Sequence, residues 1–249
     1  MRFPLLVFLF SVISLSLSVR IGMFLRHRFQ SLDDDIRQDI NAVSAATLTL
    51  LGIIIGFSFS MALSRYDQRK NYEEEESNAI GTEYLRVELL PPAGAAAAQE
   101  LLRKYLEQRI AWYSTRDSAQ LEQIDRETQV VQAKLWSAVK NAAQGQSPAV
   151  ITLTVGGVND VLNRQGYTQA AWLNRIPPAA WMMMETVAFF GALLVGGGAQ
   201  RFRPFLLMSL PIVISVAFFF IADLDSPRHG LIRVHPQNLL SLSAALKAP

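Results

Sequence analysis

The sequence has no cysteine and only three histidines in 249 residues. Without thiols there is no disulfide, no thiolate zinc site and no thiol nucleophile. His27, His229 and His235 are scattered and lack metal-ligand spacing. No phosphate-cradling G-x-x-x-x-G-K, no dinucleotide fingerprint and no H-E-x-x-H occurs. Nothing therefore points to an enzyme or to a required cofactor. Charge is scarce as well, at 18% of residues, where a soluble domain carries about 25%. The net charge of +2 and the lack of a basic stripe with interleaved aromatics exclude a nucleic-acid binder.

What the chain does have is apolar residues, 51% of the total, gathered in blocks near positions 3–25, 42–64, 179–199 and 204–222. Each is long enough to cross a hydrocarbon core of ~30 Å as a helix. Backbone amides in lipid must be satisfied within the segment, which makes helices of all four. The basic start and apolar run of "MRFPLLVFLFSVISLSLSVR" resemble a secretory signal, but "IGMFL" resumes the run and no small-residue cleavage site follows. A retained helix is the expectation.

Four spans put the N-terminus, the long 65–177 segment and the C-terminus on one side. That side carries Arg2, Arg65, Arg69, Lys70, Arg164, Arg175, Arg228 and Arg233 near the membrane, against Arg26, Arg28, Arg37, Arg201 and Arg203 on the other, with Arg20 at the edge. Positive residues favour the cytoplasm, whereas the acids of "DDD" at 33–35 count for little. Both termini and the middle region are expected there. The expected organisation is all-α: transmembrane helices 1 and 2 in 1–64, a helical cytoplasmic region in 65–177, transmembrane helices 3 and 4 in 178–223, and a cytoplasmic tail in 224–249. In the middle region apolar residues recur at helical spacing and Pro91, Pro92 and Pro148 break the pattern. The "EEEE" run at 73–76 points in four directions on a helix, and is expected as a solvated face or as pairs with Arg69 and Lys70 across subunits.

The second span, "LLGIIIGFSFSMALSRYDQRK" at 50–70, combines glycines, aromatics and hydroxyls. At 100° per residue Thr49, Ile53, Phe57, Ser60 and Ser64 fall on one stripe. Bulky apolar groups at mid-membrane with hydroxyls beside them suit a wet pathway around a short hydrophobic constriction, which can gate by dewetting. Gly52 and Gly56 have the small-x-x-x-small spacing of close helix packing. The competing reading is a lipid-embedded helix whose glycines pack inside one bundle.

"GFSFSMALSRYDQR" at 56–69 is similar to the pore-helix end of bestrophins, roughly G-F-x-x-T-x-x-V-S-R-W, with Gly56, Phe57, Ser60, Leu63, Ser64, Arg65 and Tyr66 at matching positions. The stretches "FSMALSRYDQR", "EEESNAIGTEYLR" and "DLDSPRHGLIRV" resemble a bacterial bestrophin-like family across nearly the whole chain. Bestrophins are homopentameric ion channels, mostly chloride-conducting, with a hydrophobic neck of three residues spaced by four. The resemblance implies Phe57, Ile53 and Thr49 as that neck, with Thr49 departing from the usual apolar residue. It implies self-assembly as a pentamer, in contact with membrane lipid and small ions.

Asp223 and Asp225 follow the fourth span, where animal bestrophins place acids of a calcium clasp. Two carboxylates so spaced suit a hard cation, and helix capping or pairing with Arg228 or Arg233 competes. Any metal stays unassigned, with Ca2+ as the candidate. Glu185, near the start of the third span, is an ionisable group at membrane depth or at its boundary. Three function classes follow: an ion channel favouring small anions, a non-conducting scaffold binding a partner through its cytoplasmic helices, and a cation-selective channel or a transporter using Glu185.

Overall fold

The computed structural model describes residues 3–28, 34–199 and 204–247, without the side chains of residues 27, 28, 34, 35, 37, 204 and 206. Arg2, Asp33, Arg201 and Arg203, and the side chains of His27, Arg28, Asp34, Asp35 and Arg37, lie outside the described residues. The elements are α1 (Pro4–Arg28), α2 (Asp34–Arg86), a 3-10 turn (Val87–Leu89), α3 (Pro92–Ser114), α4 (Ser118–Ala142), α5 (Pro148–Leu173), α6 (Pro178–Gly198), α7 (Pro204–Leu224) and α8 (Gln237–Ala245). No strand occurs among the described residues. Prolines begin α3, α5 and α6, where a missing N–H costs nothing and the fixed φ suits the first turn. Asp117 caps α4 by accepting from the Ala119 and Gln120 amides, and Ser147 caps α5 through the Val150 amide.

Four stretches of helix are long and apolar enough to cross a membrane, lying within Pro4–Arg26, Gln38–Leu89, Pro148–Gly198 and Leu207–Leu224. The chain divides into two units, Met1–Arg65 with Arg175–Ile232, and Tyr66–Asn174 with Arg233–Pro249.

In the first unit α1 packs along α6 and α7. Small residues set the approach of α1 to α6. Ala188, Ala192 and Gly196, spaced by four, are all buried. A Cβ built on Gly196 would stand 2.1 Å from the Val19 carbonyl oxygen, and one on Gly22 would stand 2.1 Å from that of Leu193. The two backbones touch directly here. Ser18 Oγ adds a hydrogen bond of 2.6 Å to the Phe189 carbonyl. Lipid supplies no hydrophobic drive between helices, so such close contact and interhelical hydrogen bonds carry the association. The "GGG" at 196–198 thus belongs to helix packing.

The second unit is organised by the polar half of α2, whose acids go to separate elements. Glu76 and Arg109 of α3 are both fully buried and bonded, Nε to Oε1 at 2.7 Å and Nη2 to Oε2 at 3.4 Å, with the Tyr113 hydroxyl donating to Oε2 at 3.0 Å. The guanidinium also lies 4.6 Å over the Trp112 ring. Glu73 accepts from the Leu239 amide at 2.9 Å and from the Asn238 side chain, holding the first turn of α8. Glu75 pairs with Arg164 of α5, and Glu74 is exposed. Three acids of the "EEEE" run thus bond to other elements of their own chain rather than forming a solvated face, and Glu74 alone is exposed. Arg69 is buried and donates to the Ala171 and Asn174 carbonyls, which end α5. A cation on unpaired C-terminal carbonyls is the favourable end of the helix dipole. Removing one partner of a buried pair such as Glu76–Arg109 costs about 3–5 kcal/mol, because a charge is left uncompensated. The segment expected as a tail carries α8, whose Leu239 is buried in an apolar cluster with Ile80, Tyr105, Trp112 and Trp172.

Gly22→Leu or Gly196→Leu should lower the thermal midpoint of the purified protein by several degrees or abolish its monodisperse elution. Gly166→Ala, whose new methyl meets open space, should leave the midpoint unchanged or slightly raised. Unchanged melting in both leucine variants would contradict the backbone contact.

Candidate pore surface and acidic groups

On the apolar half of α2, Ser44, Leu51 and Ala62 are buried, and Thr47, Leu48, Ile54, Ile55 and Ser58 are half-buried. Their spacing marks one helix face, which packs within the chain; Leu48 and Thr47, for example, meet Gly191 of α6. The opposite face is bare. Phe57 is 72% exposed and Ile53 52% exposed, and Thr49, Ser60 and Ser64 are exposed with them. The structure therefore brings the five stripe residues onto one uncovered face. Thr49 Oγ1 donates to the Ala45 carbonyl at 2.8 Å, so its donor is spent inside the helix. A β-carbon added to Gly52 or Gly56 meets nothing within 4 Å, so neither glycine packs inside its own chain.

Asp223 and Asp225 are both buried and engaged. Asp223 accepts from the Leu231 and Ile232 amides at 2.6 and 2.8 Å, closing the loop after α7. Asp225 accepts from the Ile176 amide at 3.0 Å and from Arg65 Nη1 at 3.4 Å. Asp225 thus ties the interior of α2, at Arg65, and the end of α7 to the residues before α6. Backbone amides and Arg65 are among the partners of these two carboxylates. Among the described residues no group of three or more His, Asp or Glu is placed to hold a metal ion. Glu185 is half-buried and accepts from Ser11 Oγ of α1 at 3.1 Å.

A model of the bestrophin-like domain matches residues 12–239. The chain belongs to the bestrophin-like family. Its fold is that of a family of ion channels, and an enzyme role finds no support in that membership. Solved structures agree on the fold. A bacterial bestrophin homologue from Klebsiella pneumoniae, solved by zinc phasing, superposes with a TM-score of 0.67 at 14% identity, over 97% of this chain and 99% of that one. A tryptophan-to-alanine variant of that homologue gives 0.66 at 14% identity, over 95% and 97%. A leucine-to-threonine variant gives 0.65 at 14% identity, over 96% and 97%. At that identity the likeness concerns the fold alone. No curated protein matches the chain in sequence.

This bestrophin-like chain carries one acid that the sequence reading passed over. Glu83 on α2 is fully buried, neither carboxylate oxygen has a hydrogen-bond partner among the described residues, and the group lies flush against Gly157 of α5. A Cβ there would fall 1.7 Å from Oε2, so any larger residue would force the Glu83 carboxylate to shift. Burial pushes the Glu83 carboxyl up from 4.5 to about 8, opposed by Arg86 and reinforced by Asp160. Glu73 is raised in the same direction, again by burial first. No motif marks Glu83; its only signal in sequence is an acid at helical spacing from Glu76 and Ile80.

The sign follows from linkage. A carboxyl raised on folding leaves the native state holding more protons than the unfolded one, so stability is full below about pH 4.5 and falls as pH rises through about 8. Thermal midpoints measured from pH 5 to 9 should decline for the wild type and flatten in Glu83→Gln. A Glu83→Gln profile parallel to the wild type would contradict a neutral buried Glu83.

Proposed function

We propose that the chain assembles with copies of itself, as a pentamer, and conducts small ions along an axis lined by α2. The observation that carries this reading is the bare stripe of Thr49, Ile53, Phe57, Ser60 and Ser64 opposite the packed face of Leu51 and Ala62. A face of apolar groups at mid-span and hydroxyls toward Arg65 suits a water-filled path closed by a short dry neck. Thr49, Ile53 and Phe57 form the neck, and Ser60 and Ser64 line the wider part. Gly52 and Gly56, open within their own chain, receive the neighbouring copy.

Ions cross the neck by shedding water, and no charged side chain sits on the stripe to offset that cost. Chloride and similar anions are the favoured permeants, because ring edges such as that of Phe57 are electropositive. Arg65, bonded to Asp225, is tied into the fold and is not a free cation at the mouth. Residues 1–64 and 178–223 cross the bacterial inner membrane, with both termini and residues 65–177 in the cytoplasm. The loop acids Asp223 and Asp225 serve structure in this reading.

The test is a planar bilayer containing purified protein under a KCl gradient. A current reversing near the chloride potential is expected, and Phe57→Ala should raise conductance roughly tenfold for each ~1.4 kcal/mol removed from the barrier. Reversal near the potassium potential would assign cations. An unaltered current in Phe57→Ala would remove the neck assignment, and silence in several lipids would favour a non-conducting scaffold.

A further inference from the structure

At one end of the first unit the last turns of α1 and α6 and the start of α2 enclose a cleft of about 250 Å³. Gly22, Leu25, Ile40, Leu193 and Gly197 line it, together with a single charged residue, Arg26. The cleft exists because the glycines that let α1 and α6 touch leave no side chains to fill the space beside the crossing. Arg26 Nη1 is buried and has no hydrogen-bond partner among the described residues. An arginine is charged at any working pH and offers five donors. The residue as a whole is half-buried, but a buried guanidinium N–H without a partner is costly unless something outside the chain accepts from it.

We propose that this cleft binds an anionic phospholipid, the Arg26 guanidinium holding the headgroup phosphate and the apolar walls holding the upper part of one acyl chain. Three features select that occupant. The cleft sits at the ends of helices long enough to cross a membrane, which is where headgroups lie. Its lining is apolar apart from one cation, matching an amphiphile with one anionic end. Arginine also pairs with phosphate through two parallel N–H donors, and basic pockets between transmembrane helices take anionic headgroups in this way. A free phosphate would satisfy the guanidinium but leave the apolar walls uncovered.

Native mass spectrometry of the purified assembly decides the matter, with phosphatidylglycerol and phosphatidylcholine of identical chains offered in equal amounts. The wild type should retain phosphatidylglycerol preferentially. Arg26→Gln should lose about fivefold of that preference, the effect of one charge at a membrane surface, and Arg26→Lys should keep most of it. Ile40→Trp, which fills the cleft and leaves the charge, should lower retention of phosphatidylglycerol in an assembly of unchanged mass. Equal retention of the two lipids, no bound lipid at all, or Arg26→Gln or Ile40→Trp behaving as the wild type would overturn the proposal. Inorganic phosphate displacing the lipid completely would overturn the choice of a lipid over a free anion. The readout is bound mass, so it stands whether or not the protein conducts.

Discussion

A helix in hydrocarbon satisfies its own backbone amides but cannot by itself bury both of its faces. That asymmetry governs α2. One face, through Leu51 and Ala62, is taken by its own chain; the other, through Ile53 and Phe57, is left bare. Lipid alone would welcome Ile53 and Phe57 but gains nothing from Ser60 and Ser64. A second copy and water together suit all of them. The proposed oligomeric pore rests on this uncovered face and on the bestrophin-like family.

The same helix changes character beyond Arg65, and the second unit is built on that change. Glu73 holds the start of α8, Glu76 locks Arg109, and Arg69 closes the end of α5. Each link joins α2 to a different element, so the polar half of the helix acts as a mast with its stays attached by charge-assisted hydrogen bonds. Glu83 departs from the pattern, being buried with no hydrogen-bond partner among the described residues and lying against Gly157.

Much of this was legible in the chain. Apolar length gave the four spans, and 3.6-residue periodicity sufficed to gather Thr49 through Ser64 on one face. The helical middle region could be read from its prolines and apolar spacing. The partners of the acids could not, because Arg109 and Leu239 lie far along the chain and side-chain pairing leaves no local pattern. The small-residue stripe that brings helices together inside the chain, Ala188, Ala192 and Gly196, was missed because alanine passes for ordinary apolar filling in a membrane span. The glycines that drew attention, Gly52 and Gly56, meet nothing in their own chain. Asp223 and Asp225 resembled a cation site by position, whereas their oxygens serve backbone amides and Arg65. α8 was hidden by its short length and the proline before it.

The central claim is that the bare face of α2 meets water in the assembled protein. Because the chain lacks cysteine, single cysteines report on this cleanly. Ser60→Cys, Ser64→Cys, Leu51→Cys and Ala62→Cys would each be exposed, in reconstituted vesicles, to a charged thiol reagent that does not enter lipid. The account predicts rapid labelling at 60 and 64 and protection at 51 and 62. Protection at all four positions, or labelling without regard to face, would contradict it.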